Sequence, residues 1–359
     1  MQKKRIVALI TASILSISML AGCGSKKSDE ESNANLKSTN LRIGLAPDQG
    51  GIGDKSFNDS ANKGLEDIKK EYNLKTQVLQ SATSSAYEQN LKELADSNDL
   101  TFAVGFTMED ALKKISTAKP DKNFAIIDAV INNDTVVSIL FKENEGAFLM
   151  GVIAGSMTKT NKVGFIGGVD NSEVMERFES GYIAGVKAVN PKAAEGLIAE
   201  SGSKHGKYSR FVGSFGDPSK GSEFANQLYN EGVDVIFHAA GGTGVGIINK
   251  ATELREQGKD VWVIGVDDDQ AVTMPHAKNA ILSSCIKRAD IATADIARKF
   301  LEGSFDGGST VVYGIAENAI GIADTKDNLP DDVIKKIDDY KQQINDGAIT
   351  VPSTLGEIK

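Results

Sequence analysis

Short apolar runs rich in β-branched residues recur along the chain and alternate with stretches of helical spacing. Apolar residues three or four positions apart, such as Ala61, Leu65 and Ile68, predict amphipathic helices between the runs. Apolar runs that are each followed by a helix are typical of parallel strands buried on both faces. Ten strands are predicted, at residues 41–46, 75–79, 101–105, 123–128, 136–141, 162–167, 209–213, 233–239, 261–266 and 280–284.

This pattern predicts two α/β lobes rather than one. The alternation restarts near residues 141–162, and ten strands are too many for one small core. A single eight-stranded barrel is the rival topology, but it should carry neither ten strands nor a restart at its midpoint. We expect two doubly wound parallel sheets side by side, with a ligand bound beyond the carboxyl ends of their strands.

The first 23 residues have the features of an export signal. Residues 3–5 are basic, residues 6–20 are apolar and uncharged, and Leu20-Ala21-Gly22-Cys23 follows. Such a span is shorter than the about 20 residues that a bilayer requires, but it suits a secretory signal. The Leu-Ala-Gly-Cys stretch resembles the lipobox of bacterial lipoproteins, which implies removal of residues 1–22 and lipidation of Cys23. The alternative is an ordinary N-terminal anchor helix with an incidental cysteine.

The rest of the composition describes a tethered, acidic body. Residues 24–40 carry no aromatic and almost no apolar side chain, which predicts a flexible tether. Removal of the leader takes the formal charge from −9 to −12, which argues against nucleic acid or anionic headgroups as partners. With Cys23 lipidated, only Cys285 remains as a thiol and no intrachain disulfide is possible. We expect a lipid-anchored protein on the extracytoplasmic face of the cell membrane.

The glycine-rich loop after the first predicted strand carries candidate binding residues. Its glycines permit close backbone approach, and Asp54 or Ser56 could cap the next helix. Phe57 and Asn58 then stand at the start of that helix. Phosphates often bind such loops, but Asp48 and the other aspartates would repel one. An uncharged ligand with hydroxyls and a flat ring fits better; the alternative is a capped helix with Phe57 packed beneath it.

Three further candidates stand near the ends of later strands. Asp128 ends the fourth strand, Asp267 follows the ninth and Lys287 follows the tenth. A carboxylate at a strand tip can accept hydrogen bonds from hydroxyls or ring N–H groups, and a nearby lysine can keep it ionised. The alternative is that these aspartates cap the next helices, an interpretation that we prefer for Asp268 and Asp269.

A second glycine-rich turn follows the eighth predicted strand. Its glycines lack the spacing of a dinucleotide fingerprint. We interpret Gly241 and Gly242 as part of a tight turn whose backbone amides approach a ligand. Phe237 or His238 could place a ring over that ligand, although a lone histidine near a strand end more often only satisfies hydrogen bonds.

Residues 50–64, 167–191 and 235–244 together resemble the Bmp family of bacterial lipoproteins, the purine nucleoside receptor type of ABC-transporter substrate-binding protein. The resemblance extends from residue 41 to about residue 322. It implies a type I periplasmic-binding-protein fold, with two doubly wound parallel-sheet lobes joined by three crossovers and a nucleoside in the cleft. We expect the first lobe at residues 41–141 and 285–322, and the second at residues 142–284 and 323–359.

The resemblance also implies roles for individual residues. Phe57 would stack on the base, and Asn58 and Asp128 would bond to it. Asp267 and Lys287 would hold the ribose. A second ring would come from Phe237 or His238, depending on which of them faces the cleft. The segment at residues 201–211 fits no pattern that we can place.

We therefore expect a monomeric binding protein that captures nucleosides and delivers them to an ABC permease. A serine nucleophile elbow and a phosphate-binding P-loop are both missing, and the three histidines lack metal-ligand spacing. Neither an enzyme nor a cofactor is expected. A sugar-binding or ligand-sensing lipoprotein of the same fold is the alternative, and the choice between purine and pyrimidine stays open.

Overall fold

The computed structural model describes residues 40–358, so the predicted signal, Cys23 and nearly all of the tether lie outside the described residues. All ten predicted strands form, with ends that move by a few residues, and two short strands follow that the apolar pattern did not predict. The strands are β1 (Arg42–Ala46), β2 (Lys75–Val78), β3 (Leu100–Val104), β4 (Asn123–Ile127), β5 (Val136–Phe141), β6 (Val163–Gly167), β7 (Ser209–Phe211), β8 (Val235–Ala239), β9 (Trp262–Asp267), β10 (Ile281–Lys287), β11 (Thr310–Tyr313) and β12 (Ile320–Ile322).

Helices connect these strands and cover the sheets. They are α1 (Phe57–Tyr72), α2 (Tyr87–Ser97), α3 (Glu109–Ala118), α4 (Glu143–Met157), α5 (Glu173–Val189), α6 (Pro191–Ala194), α7 (Pro218–Asn230), α8 (Thr243–Glu256), α9 (Gln270–Thr273), α10 (Ala289–Leu301) and α11 (Asp331–Asn345). Within residues 40–358, none of them combines the length and the apolar character that a membrane crossing requires.

The strands form two six-stranded sheets of matching order. The first runs β11-β5-β4-β3-β1-β2 and the second β12-β10-β9-β8-β6-β7. All pairs are parallel except β10 with β12. This confirms the predicted pair of doubly wound lobes, in which β4 and β9 hold equivalent places.

The chain crosses between the lobes three times, but the later crossings differ from the expected boundaries. Cys285 to Lys287 belong to β10, which pairs with β9 in the second sheet, and β12 pairs with β10. Residues 285–287 and 320–322 therefore lie in the second lobe. Helix α10 packs on α1, and β11 pairs with β5 in the first lobe. The crossovers are β5 to α4, β10 to α10 and β11 to β12.

Close packing of α4 on α5 stiffens the second lobe beside these crossovers. A Cβ at Gly151 of α4 would collide with the Tyr182 carbonyl, and one at Gly185 of α5 would collide with the Phe148 carbonyl. Only glycine allows the two backbones this approach. The N-terminal ends of both helices are thus held in place where they reach the cleft.

Candidate functional site

The carboxyl ends of the two sheets face one cavity, in which about 40 Å³ is open to the centre of a water-sized sphere. Its lining comprises Asp48, Asp54, Phe57, Asn58, Gly105, Phe106, Asp128, Val174, Met175, Phe178, Phe215, Ala239, Gly241, Val266, Asp267 and Lys287. The structure therefore brings seven of the predicted site residues together and leaves three, Phe237, His238 and Gly242, outside the lining.

The loop between β1 and α1 is organised by the carboxylate of Asp54. Its oxygens accept hydrogen bonds from the backbone N–H groups of Ser56, Asn58 and Asp59, at 2.9, 2.9 and 3.1 Å. Asp54 therefore satisfies the open N–H groups at the start of α1, as one of the two predicted caps. Ser56, the other candidate, stands at the N-cap position but makes no side-chain cap. Its Oγ instead donates to Asp267 Oδ2 at 2.5 Å, across the cleft.

Asn58 fixes two of the cavity's carboxylates. Its Nδ2 donates to Asp48 Oδ1 at 2.8 Å and to Asp54 Oδ2 at 2.9 Å. Its Oδ1 accepts from the Asp48 backbone N–H at 3.0 Å. Both amide hydrogens of Asn58 are thereby used inside the protein, so neither is free to bond to a ligand. Asn58 instead holds the carboxylates of Asp48 and Asp54 in place as acceptors for one.

Lys287 lies at the centre of a buried ion network. Its Nζ donates to both oxygens of Asp128, at 2.6 and 2.7 Å, and to Glu143 Oε1 at 2.9 Å. Arg177 pairs with the other oxygen of Glu143 at 2.5 Å. The ammonium group also lies 4.9 Å from the ring centre of Phe57. Because these groups come from both lobes and from the start of α4, the network joins the cleft to the crossovers.

Asp128 and Asp267 hold matching positions in the two lobes. Asp128 directly follows β4 and has φ +72°, while Asp267 ends β9 and has φ +67°. Apart from glycine, aspartate and asparagine adopt this left-handed conformation most readily. The shared conformation places the two carboxyls at equivalent strand tips of the two lobes.

The electrostatics of the cavity disfavour bound anions. Burial raises the pKa of Asp48 to about 6 and that of Asp267 to about 7. Burial alone would lower the pKa of Lys287, but Asp128 and Glu143 raise it above its usual value. Among the described residues, Lys287 is the only cation that lines the cavity, and two carboxylates already surround it.

The aromatic walls differ from the expected ones. Phe237 is fully buried in the second lobe, where its ring packs against Phe165, Phe178 and Tyr182. His238 points to the opposite side of β8 and is also fully buried, with Nε2 bonded to Gln270 Oε1 at 3.0 Å. Both residues lie inside the strand, before its tip, so neither ring reaches the cavity lining.

Other rings take the place expected for Phe237 or His238. Phe178 of α5 lines the cavity, as do Phe106 and Phe215, whose centres are 5.9 Å apart in an edge-to-face contact across the cleft. Gly241, with φ +54°, reaches the lining, whereas Gly242 packs against Asp54 and Phe215. Phe106 follows Gly105 at the tip of β3, so the strand-tip rule that found Asp128 could also have found it.

Comparisons with known proteins agree with this architecture. A family model described as Bmp, ABC transporter substrate-binding protein PnrA-like, matches residues 43–354. The CD4+ T-cell-stimulating antigen of Listeria monocytogenes is 41% identical over 366 residues, covering 98% of this chain and 99% of that protein. The ABC transporter nucleoside-binding protein BmpA of Lactococcus lactis is 36% identical with the same coverage. This chain belongs to the Bmp family of ABC transporter substrate-binding proteins.

Solved structures place the Bmp-family chain among solute-binding proteins. An ABC transporter solute-binding protein from Aeropyrum pernix superposes with a TM-score of 0.75 at 28% identity, covering 87% of this chain and 94% of the other. The arabinose-binding protein AraP of Geobacillus stearothermophilus shares the fold at 12% identity, with a TM-score of 0.57 and coverage of 84% and 99%. Within residues 40–358, no cluster of three or more His, Cys, Asp or Glu side chains is arranged to hold a metal ion.

Proposed function

We propose that this Bmp-family protein captures nucleosides outside the cytoplasm and hands them unchanged to an ABC permease. The proposal depends on one observation: the Phe57 ring and the strand-tip carboxyls of Asp128 and Asp267 line the same cavity. An aromatic face suits a flat base, and carboxylates suit the hydroxyls of a sugar.

The aromatic residues account for affinity toward a base. Phe57 and Phe178 line the cavity, and the Lys287 ammonium lies 4.9 and 5.9 Å from their respective ring centres. Stacking between a base and an aromatic side chain contributes about 1–3 kcal/mol per ring. A purine, with two fused rings, gains more from such stacking than a pyrimidine.

The carboxyls account for selectivity. A buried carboxylate that bonds to a ribose hydroxyl costs about 1–3 kcal/mol when an analogue leaves it unpaired. Asp267 is 7% exposed, and water cannot easily replace a missing hydroxyl there. A nucleotide would bring its phosphate close to Asp48 and Asp54, and Lys287, the only cation among the described residues that line the cavity, is already paired with Asp128 and Glu143. The site should therefore favour ribonucleosides over deoxyribonucleosides and over nucleotides.

The Lactococcus relative, which is named for nucleoside binding, supports the same ligand class. The lipobox-like stretch supports anchoring at Cys23, with export by the preceding signal. Anchoring is tested by labelling growing cells with radioactive palmitate. Wild-type protein should incorporate label in the membrane fraction, while Cys23→Ser should not; equal labelling of both would overturn the anchor.

The ligand is tested by calorimetry on protein that lacks residues 1–23. The protein is unfolded and refolded to remove any bound ligand, then titrated with adenosine, guanosine, uridine, 2′-deoxyadenosine, adenine, ribose and AMP. Submicromolar binding of a ribonucleoside, with ribose and AMP silent, is the expected result. Silence from every nucleoside together with binding of a sugar would overturn the nucleoside assignment in favour of a sugar receptor.

A further inference from the structure

Gln270, the first residue of α9, joins the two lobes without lining the cavity of the described chain. Its Nε2 donates to the backbone carbonyl of Lys55, at 3.1 Å. Lys55 belongs to the loop before α1 in the first lobe, whereas Gln270 belongs to the second. Gln270 is fully buried and Lys55 is exposed, so this hydrogen bond is partly buried.

The second lobe fixes the direction of the Gln270 amide. Its Oε1 accepts from the Val266 N–H at 3.0 Å and from His238 Nε2 at 3.0 Å. The Val266 N–H can only donate, so the oxygen of Gln270 must face it and the NH₂ group must face Lys55. Gly265 makes room for this arrangement, since a Cβ there would lie 2.5 Å from Gln270 Oε1.

The first lobe is equally prepared for this contact. Lys55 has φ +58°, a left-handed conformation that lysine seldom adopts. The next residue, Ser56, donates to Asp267 across the same cleft. Two consecutive loop residues therefore contact the second lobe at positions 267 and 270. Both bonds need the lobes to be closed, because each joins groups from different lobes.

We propose that Gln270 is a closure latch: it touches no ligand, stabilises the closed form through the Lys55 carbonyl, and slows ligand release. The proposal rests on the proposed function only in its choice of nucleoside as probe. His238 lies outside the cavity, and its role is to hold the Gln270 amide in position through the hydrogen bond to Oε1.

Gln270→Glu is the sharpest test. Glutamate keeps an oxygen for Val266 and His238 but, when ionised, presents a second oxygen to the Lys55 carbonyl and repels it. At pH 8 we expect adenosine to dissociate about 5- to 20-fold faster, with little change in the association rate, because the bond forms only after binding. At pH 5 a protonated glutamate can donate again, so the effect should shrink. Gln257→Glu, on the exposed end of α8, is the charge-matched control.

Stopped-flow binding and the distance between the lobes give independent readouts. Spin labels on exposed positions of α2 and α7 report closure, and buried Cys285 should remain unlabelled. With adenosine bound, the variant should show a larger open fraction than wild type and Gln257→Glu. Unchanged dissociation with an unchanged distance distribution would overturn the latch. If the wild-type protein binds no nucleoside, the ligand assignment is wrong. The latch is then tested on the ligand-free proteins: a larger open fraction in Gln270→Glu than in wild type supports it, and equal open fractions overturn it.

Discussion

Replacement of Asp267 by asparagine measures how much the buried carboxyl costs the fold. Burial raises the pKa of this group from 3.8 to about 7, against the attraction of Lys287 and the hydrogen bond from Ser56. Because the raised pKa makes the folded protein bind more protons than the unfolded chain, stability falls as the pH rises from about 4 to about 7. At about 1.4 kcal/mol per pKa unit, the carboxyl costs about 2 kcal/mol at pH 5 and about 4 kcal/mol at pH 8.

Asparagine does not titrate, so Asp267→Asn should stabilise the ligand-free protein by about 2–3 kcal/mol more at pH 8 than at pH 5. Urea unfolding of both proteins at the two pH values measures this difference, in which any constant effect of the amide cancels. Asp268→Asn removes a neighbouring carboxyl outside the cavity and is the control. An equal gain at both pH values, or the same pH-dependent gain in the control, would refute the argument. The variant should also bind adenosine more weakly.

Three further substitutions test other parts of the molecule. Phe57→Ala should weaken adenosine binding by about 10-fold or more in calorimetry while leaving the unfolding curve nearly unchanged, since the ring is only partly buried; an unchanged dissociation constant would remove Phe57 from the site. Glu143→Gln should destabilise the protein by about 3 kcal/mol in urea, because the buried Lys287 and the partly buried Arg177 lose their shared carboxylate. For His205, burial opposes protonation, but Glu179 and Asp170 raise its pKa above the usual value. The stability that it contributes is present below about pH 6.5 and is lost as the pH rises through the raised pKa. His205→Gln should therefore destabilise at pH 6 and have little effect at pH 9, and an equal loss at both would contradict this.

The strands and their tips could be predicted because they depend on local patterns. Apolar runs located all ten predicted strands, and the rule that ligands meet strand ends found Asp128, Asp267 and Lys287. The two missed strands, β11 and β12, are only four and three residues long. Both follow crossovers, where chain direction depends on packing between lobes rather than on a periodic sequence.

The aromatic walls could not be predicted because they depend on the exact end of a strand. Phe237 and His238 alternate across β8, yet both stop short of the tip. Phe178 reaches the cavity from α5, and Glu143 meets Lys287 from 144 residues away. No local signal joins such partners. The segment at residues 201–211 likewise gained meaning only from packing, which sets His205 Nδ1 2.7 Å from the fully buried Glu179.

Closure of this protein is a balance between repulsion and attraction across the cleft. Asp54 and Asp128 of the first lobe both raise the pKa of Asp267 in the second, so bringing the lobes together concentrates negative charge. The ion pair of Lys287 with Asp128 and the bonds from Ser56 to Asp267 and from Gln270 to the first lobe oppose that repulsion. A ligand with hydroxyl or N–H donors between the carboxyls would relieve the repulsion without adding charge, whereas a phosphate would increase it. Selectivity for an uncharged ligand and closure upon binding it would then have the same physical origin, the excess of buried carboxyls at the strand tips.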